Sequence, residues 1–258
     1  MENRSGALEM AHLTWPEAKE VMASGRPAVL PLGSLEQHGP HLPLNTDIVM
    51  AEAVARRLAD RVGGLLLPVV PFGQVWSARN FPGTMSLSPE TIKAVVRDLC
   101  RSLHRQRVRL VVIITGHMGN TIPVQEAQRE VQEEIPSLKT LFFNYPRAAT
   151  VAKGVTESPM WKGTRFHADE IETSLMLAVA PELCHMDRAV ADYPEVPTEF
   201  DFSPMSWDQI TETGVLGDAR PATAEKGRIL LDRWVELMVG VIEETSERLK
   251  AESSAEPR

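Results

Sequence analysis

Val-Arg-Leu-Val-Val-Ile-Ile-Thr-Gly-His-Met-Gly-Asn, residues 108–120, is the stretch that decides the fold. Val108 to Thr115 is a continuous apolar, β-branched run with no polar alternation. Such a strand is buried on both faces, which is the habit of parallel sheets covered by helices. It breaks at Gly116-His117-Met118-Gly119-Asn120, and a helical pattern follows from about Ile122 to Glu134. Outward from this unit the same alternation repeats. Downstream comes a strand at Thr140–Asn144, then a helix at Asp169–Val179 and a long terminal helix from Thr223 to about Lys250. Upstream, Ser88-Pro89-Glu90 opens a helix running to about Arg105, preceded by an apolar strand at Leu65–Val70. Before that, Asp47–Val62 has helical spacing and stops at Gly63-Gly64. Pro27–Leu32 is a short apolar strand, and Thr14 caps a helix with Pro16 in its first turn. Strands alternating with helices predict an α/β domain with a mostly parallel sheet covered on both faces.

One domain spanning residues 1–258 is expected, with flexible tails at 1–12 and 251–258. The proline-rich segment Pro181–Pro221 shows little periodicity, so it is expected to lid the site or to pack on a neighbouring subunit. The net charge of −8 comes without any basic stripe, which speaks against nucleic acid as a partner. No run approaches the ~20 apolar residues of a membrane span, and the N-terminus lacks a signal-peptide core. Cys100 and Cys184 are far apart and form no CxxC pair. These features predict a reduced, cytoplasmic protein. No GxSxG elbow, GxxxxGK[ST] loop or GxGxxG fingerprint occurs.

Open parallel sheets place their sites beyond the carboxyl ends of the strands. Three polar clusters fall there: Gly33 to Asp47, Gly116 to Asn120, and His167 to Thr173. They gather carboxylates and imidazoles, the usual ligands of Zn²⁺, Mn²⁺ and Fe²⁺. Glu36 and His38 are two apart, so in extended chain both side chains point the same way. Asp47 opens a helix, where it either bridges two ions with its two oxygens or serves as an N-cap. His117 directly follows the buried strand. The glycines among these residues allow close backbone approach. Glu170 and Glu172 are either site groups or first-turn carboxylates favoured by the helix dipole. His41 is either a site group or a polar loop residue, and His12, His104 and His185 read as surface or packing residues.

GSLEQHGPHLPLNTD, residues 33–47, closely resembles the signature of the creatininase family, with Glu36, His38 and Asp47 in register with metal ligands. FPGTMSL (81–87), TGHMGN (115–120), HADEIETS (167–174) and ATAEKG (222–227) resemble further family blocks in the same order. The resemblance covers about residues 15–245. It implies a three-layer α/β/α fold, a divalent-metal site of two ions (Zn, Mn or Fe), a homo-oligomer that is commonly a hexamer, and hydrolysis of a carbon–nitrogen bond in a small polar molecule. Cleavage of a carbon–carbon bond in a cyclic ketone, cleavage of a peptide bond, and a non-catalytic metal-binding role are the alternatives. His117 takes the place of the next metal ligand, and His167 that of a site histidine able to protonate the leaving nitrogen.

The sequence also departs from creatininase itself. A glutamate of the second metal is replaced by Gly119, a tyrosine by Met118, and Trp-Asp-Ile-Glu by Gly163-Thr164-Arg165-Phe166. Asn80 stands where many relatives carry histidine. Either Glu172 or Glu170 supplies the missing carboxylate, or the second metal site is weak. On a helix the two project about 160° apart, so only one can face the metals. Glu172 is taken as the ligand and Glu170 as the catalytic or substrate-side group. Asn120, Arg165 and Met118 are the candidate substrate-binding residues, with Arg165 suited to a substrate anion.

Overall fold

The computed structural model describes residues 7–255. The strands are β1 (Leu8–Glu9), β2 (Ala28–Leu32), β3 (Leu65–Leu66), β4 (Leu110–Thr115) and β5 (Lys139–Asn144). Between them run the helices α1 (Trp15–Ala23), α2 (Thr46–Val62), α3 (Pro89–Arg105) and α4 (Thr121–Glu134). After β5 come α5 (Ala148–Ala152), α6 (Glu170–Val179), a two-stranded antiparallel ribbon of β6 (Ala191–Asp192) and β7 (Gly217–Asp218), and α7 (Ala224–Ala255). The five-stranded sheet has the order β1-β3-β2-β4-β5 and is parallel throughout.

Alternation along the buried strands divides the core in two. Val29, Leu66, Val112 and Ile114 face α2, α6 and α7, where they meet Met50, Leu175 and Trp234. Ala28, Leu30, Val111 and Ile113 face the other layer, with Met22 of α1, Cys100 of α3 and Val124 of α4. The result is the expected three-layer α/β/α arrangement. Pairing of Leu32 with Thr115 sets the ends of β2 and β4 level, so the polar segments beginning at Gly33 and Gly116 leave the sheet side by side.

Three expectations need correction. The strand expected over Leu65–Val70 is regular only at Leu65–Leu66, with one further bridge between Val70 and Leu32. Pro68 has no N–H to give the ladder. Residues 8–9 of the expected N-terminal tail pair with β3, and Ala251–Ala255 prolong the last helix. The outer tail residues 1–6 and 256–258 lie outside the described residues. The Pro181–Pro221 segment is mostly short 3-10 turns, with the β6–β7 ribbon an addition that its sequence did not signal.

Close packing of α6 on α7 produces a paired prediction. A Cβ on Gly227 would lie 1.8 Å from the Ser174 carbonyl oxygen, whereas one on Gly240 of the same helix meets nothing within 4 Å. Gly227→Ala should lower unfolding stability by about 1–3 kcal/mol through overpacking. Gly240→Ala should be neutral or stabilising by about 0.5–1 kcal/mol. Urea unfolding of both variants checks this, and equal effects would refute the packing argument.

Candidate metal centre and active-site cavity

The segment after β2 carries Glu36 and His38, the first turn of α2 carries Asp47, the end of β4 carries His117, and the first turn of α6 carries Glu172. All five are buried. Asp47 stands at their centre. Its Oδ1 lies 3.2 Å from His38 Nε2, and its Oδ2 lies 3.2 Å from His117 Nδ1. On the Oδ2 side His117 Nδ1 is 2.8 Å from Glu36 Oε2, and on the Oδ1 side His38 Nε2 is 3.8 Å from Glu172 Oε2. Two buried donor triads result, Glu36–Asp47–His117 and His38–Asp47–Glu172, each with its donor atoms within 4.8 Å of one another. Glu36, His38 and His167 form a third such group.

Hydrogen bonds on the far side of each imidazole decide which nitrogen faces the cluster. His38 Nδ1 lies 3.1 Å from its donor-seeking partner, the Glu36 carbonyl oxygen, and His117 Nε2 lies 2.8 Å from the Gln74 carbonyl oxygen. A carbonyl can only accept, so these nitrogens carry the protons and leave His38 Nε2 and His117 Nδ1 as lone-pair donors. Both Glu36 oxygens and His38 Nε2 are buried without a hydrogen-bond partner. Buried polar groups are ordinarily satisfied, so this arrangement fits divalent cations held by carboxylate and imidazole.

The electrostatics point the same way. Burial pulls the His38 pKa down, but Asp47, Glu172 and Glu36 more than reverse it and raise it to about 10. His117 is likewise raised well above the usual imidazole range, against burial, by Glu36 and Asp47. Burial pushes Glu172 up to about 7, with His38 opposing. The cluster thus demands positive charge, which protons on imidazole supply when nothing else does. His167 differs: burial and the neighbouring His38 lower it to about 4. Its Nε2 faces the Gln37 carbonyl oxygen at 2.8 Å, which leaves Nδ1 toward Glu172 at 3.8 Å.

The remaining candidates separate. Glu172 enters the cluster and also accepts a hydrogen bond from the Ala168 N–H at 2.6 Å. Glu170 does not reach it. Its carboxylate turns to the opposite side of α6, accepting from Lys226 Nζ at 2.6 Å and from the Ser158 N–H at 2.7 Å. The expectation that Glu170 meets substrate is therefore corrected: a buried ion pair anchors α6 to α7. Asn120 is also corrected as a substrate contact. Its amide nitrogen donates to the Gly33 carbonyl and to Thr115 Oγ1, and its oxygen accepts from the Gln74 N–H. It ties the segments that carry Glu36 and His117. Asp47 is not the helix cap, since α2 begins at Thr46 after Asn45. His41 is a buried residue 2.8 Å from Thr173 Oγ1. Gly119 has a steric reason: a Cβ there would fall 2.2 Å from the Gln74 carbonyl oxygen and 2.3 Å from His117 Nε2.

Met118 and Arg165 lie on the wall of a cavity of about 500 Å³ that opens over Glu36, Asp47, His117, His167 and Glu172. Sequence reasoning missed four aromatic residues of that wall: Trp76, Trp161, Phe200 and Trp207. The Trp207 ring lies 4.6 Å from that of His167. Phe200 and Trp207 come from the irregular segment, which here covers the site. The available signal was tryptophan itself, since three of the chain's five tryptophans line this one cavity.

The family model described as "Creatininase: Creatinine amidohydrolase" matches residues 11–242. The creatinine amidohydrolase of Pseudomonas putida is 30% identical, over 93% of this chain and 98% of the relative. A mycofactocin precursor peptide peptidase of Mycobacterium ulcerans (strain Agy99) is 31% identical, over 86% of this chain and 83% of the relative. A solved zinc–zinc form of a creatininase variant superposes with a TM-score of 0.80 at 30% identity, covering 93% of this chain and 99% of that one. Matched along almost its whole length in sequence and in fold, the chain belongs to the creatininase family of hydrolytic enzymes.

Proposed function

We propose that this protein is a metal-dependent amidohydrolase that cleaves a carbon–nitrogen bond in a small polar molecule at a two-ion centre. The observation that carries the reading is the Asp47 carboxylate, one oxygen of which belongs to each donor triad. Glu36, Asp47 and His117 would hold one ion, and His38, Asp47 and Glu172 the other. Such ions, whether Zn²⁺, Mn²⁺ or Fe²⁺, supply an acidified water and a polarised acyl oxygen when bound. The zinc–zinc neighbour supports two ions over one.

The chain's own residues do the rest. Gln37 fixes the His167 ring, so Nδ1 points at the cavity floor. There it takes a proton from the attacking water and passes it to the departing nitrogen. The water oxygen bonds to the acyl carbon, the carbon–nitrogen bond breaks, and a carboxylate and an amine result. Trp207 packs beside His167, and Met118, Trp76 and Trp161 exclude water around the acyl group. Family resemblance suits a homo-oligomer, a hexamer, whose mass by light scattering at micromolar concentration should be six times that of the chain; a monomer would refute it.

Two sets of variants test the centre. Metal analysis should find about two ions per chain in the wild type, toward one in Glu172→Gln, and little in Asp47→Ala. Glu170→Gln should keep both ions while lowering thermal stability, because it breaks a buried pair with Lys226. Full occupancy in Asp47→Ala would sink the assignment. Removing metal with a chelator should abolish amide hydrolysis, and returning it should restore hydrolysis. His167→Ala should retain both ions yet lower kcat by about 10²–10⁴. An unchanged kcat would remove His167 from the chemistry.

A further inference from the structure

Two cations share one carboxylate beside the cavity, whose wall Arg165 and Phe200 of this group line. Lys162 Nζ lies 2.8 Å from Asp201 Oδ2, and Arg165 Nη2 lies 3.1 Å from Asp201 Oδ1. The cations come from a tight turn in which the Arg165 N–H donates to the Trp161 carbonyl at 3.0 Å. Lys162 sits in the left-handed region at φ 49°, followed by Gly163 at φ 77°. A non-glycine residue there costs on the order of 1 kcal/mol, and the conformation sets Lys162 beside Arg165. The carboxylate comes from the lid segment, whose Phe200 ring lies 5.2 Å from the Arg165 guanidinium carbon and 5.3 Å from Lys162 Nζ.

The charge count leaves one positive charge unmatched in this group, on a chain whose net charge is −8. Across the cavity the charges are already engaged. Arg79 covers the Trp76 ring at 4.1 Å, and Asp208 accepts from Asn80. Arg165 differs because it lies on the cavity wall with His167 and Glu172, is about half exposed at 47%, and makes no hydrogen bond through Nε or Nη1 among the described residues. Asp201 holds one edge of the guanidinium fork, so the remaining edge is oriented in advance. That edge matches a carboxylate or phosphate. A cationic substrate would be repelled at the same place, and the aromatic walls suit a flat body between rim and floor.

We propose that the amide cleaved at the metal centre carries an anionic group, carboxylate or phosphate, which binds Arg165 and Lys162 at the rim while a planar body lies between the aromatic walls. The inference rests on the amidohydrolase reading given above. The anionic group is a spectator: only the carbon–nitrogen bond breaks, and water supplies the oxygen and protons of the products.

Three formamides of one shape test it on the metal-loaded enzyme: para-formamidobenzoate, para-formamidophenyl phosphate and the neutral para-formamidoacetophenone. The wild type should favour one of the anions over the neutral compound by about tenfold or more in kcat/KM, as a charge-assisted contact supplies. Which anion wins separates carboxylate from phosphate. Arg165→Gln should cut that preference about tenfold. Equal kcat/KM for all three in the wild type, or a preference unchanged in Arg165→Gln, overturns the proposal. If the loaded enzyme cleaves none of them, quenching of tryptophan fluorescence by the same compounds decides. Anion-selective binding lost in Arg165→Gln upholds the rim site and counts against amide hydrolysis. Binding indifferent to charge overturns the rim site itself.

Discussion

Everything at the carboxyl edge of the sheet is organised around the buried carboxylate of Asp47. An ionised group out of water costs several kcal/mol unless opposite charge and hydrogen bonds surround it. Here two imidazoles approach its oxygens, and the Ser34 hydroxyl donates to one of them. Glu36 and Glu172 add further carboxylates to the same small volume. Such a concentration of buried acid is unfavourable on its own terms and stable only with cations among it. Function and stability therefore share one constraint.

Outside the donors a second set of bonds fixes where they point. Asn120 joins Gly33 after β2, Thr115 in β4 and Gln74 in the intervening loop. The Gln74 carbonyl then sets the His117 ring, and Gly119 leaves room for that contact. On the other side of α6, Glu170 and Lys226 lock the helix that carries Glu172 against α7. These polar residues look as reactive in sequence as the donors, yet they act by holding other residues in place.

The cavity above the donors is built by different means. Its floor comes from strand ends, but Phe200 and Trp207 come from a segment with little regular structure, held by contacts such as the Trp207 N–H donating to the Ser77 carbonyl at 2.7 Å. Rigid floor and irregular cover are a common division in enzymes, because the chemistry is fixed by the scaffold while recognition is varied in loops. In this chain the walls of the cavity are largely aromatic, with the Arg165 side chain among them.

The sequence by itself determined the layered α/β fold and brought four of the candidate metal-binding residues to one edge of the sheet. Short β-branched apolar runs bounded by turn residues read as strands buried on both faces, and Glu36, His38, Asp47 and His117 follow such runs, so local order places them at one edge. Helical periodicity also showed that Glu170 and Glu172 cannot face the same way. Only the tertiary structure decided which of them turns to the donors, because the choice depends on where α7 brings Lys226, fifty-six positions further along the chain. It also decided that Leu8–Glu9 joins the sheet, that Asn120 braces strand ends, and that Trp76, Trp161, Phe200 and Trp207 converge on one cavity. Those outcomes rest on contacts between segments far apart in the chain, for which a linear sequence carries no periodicity to read.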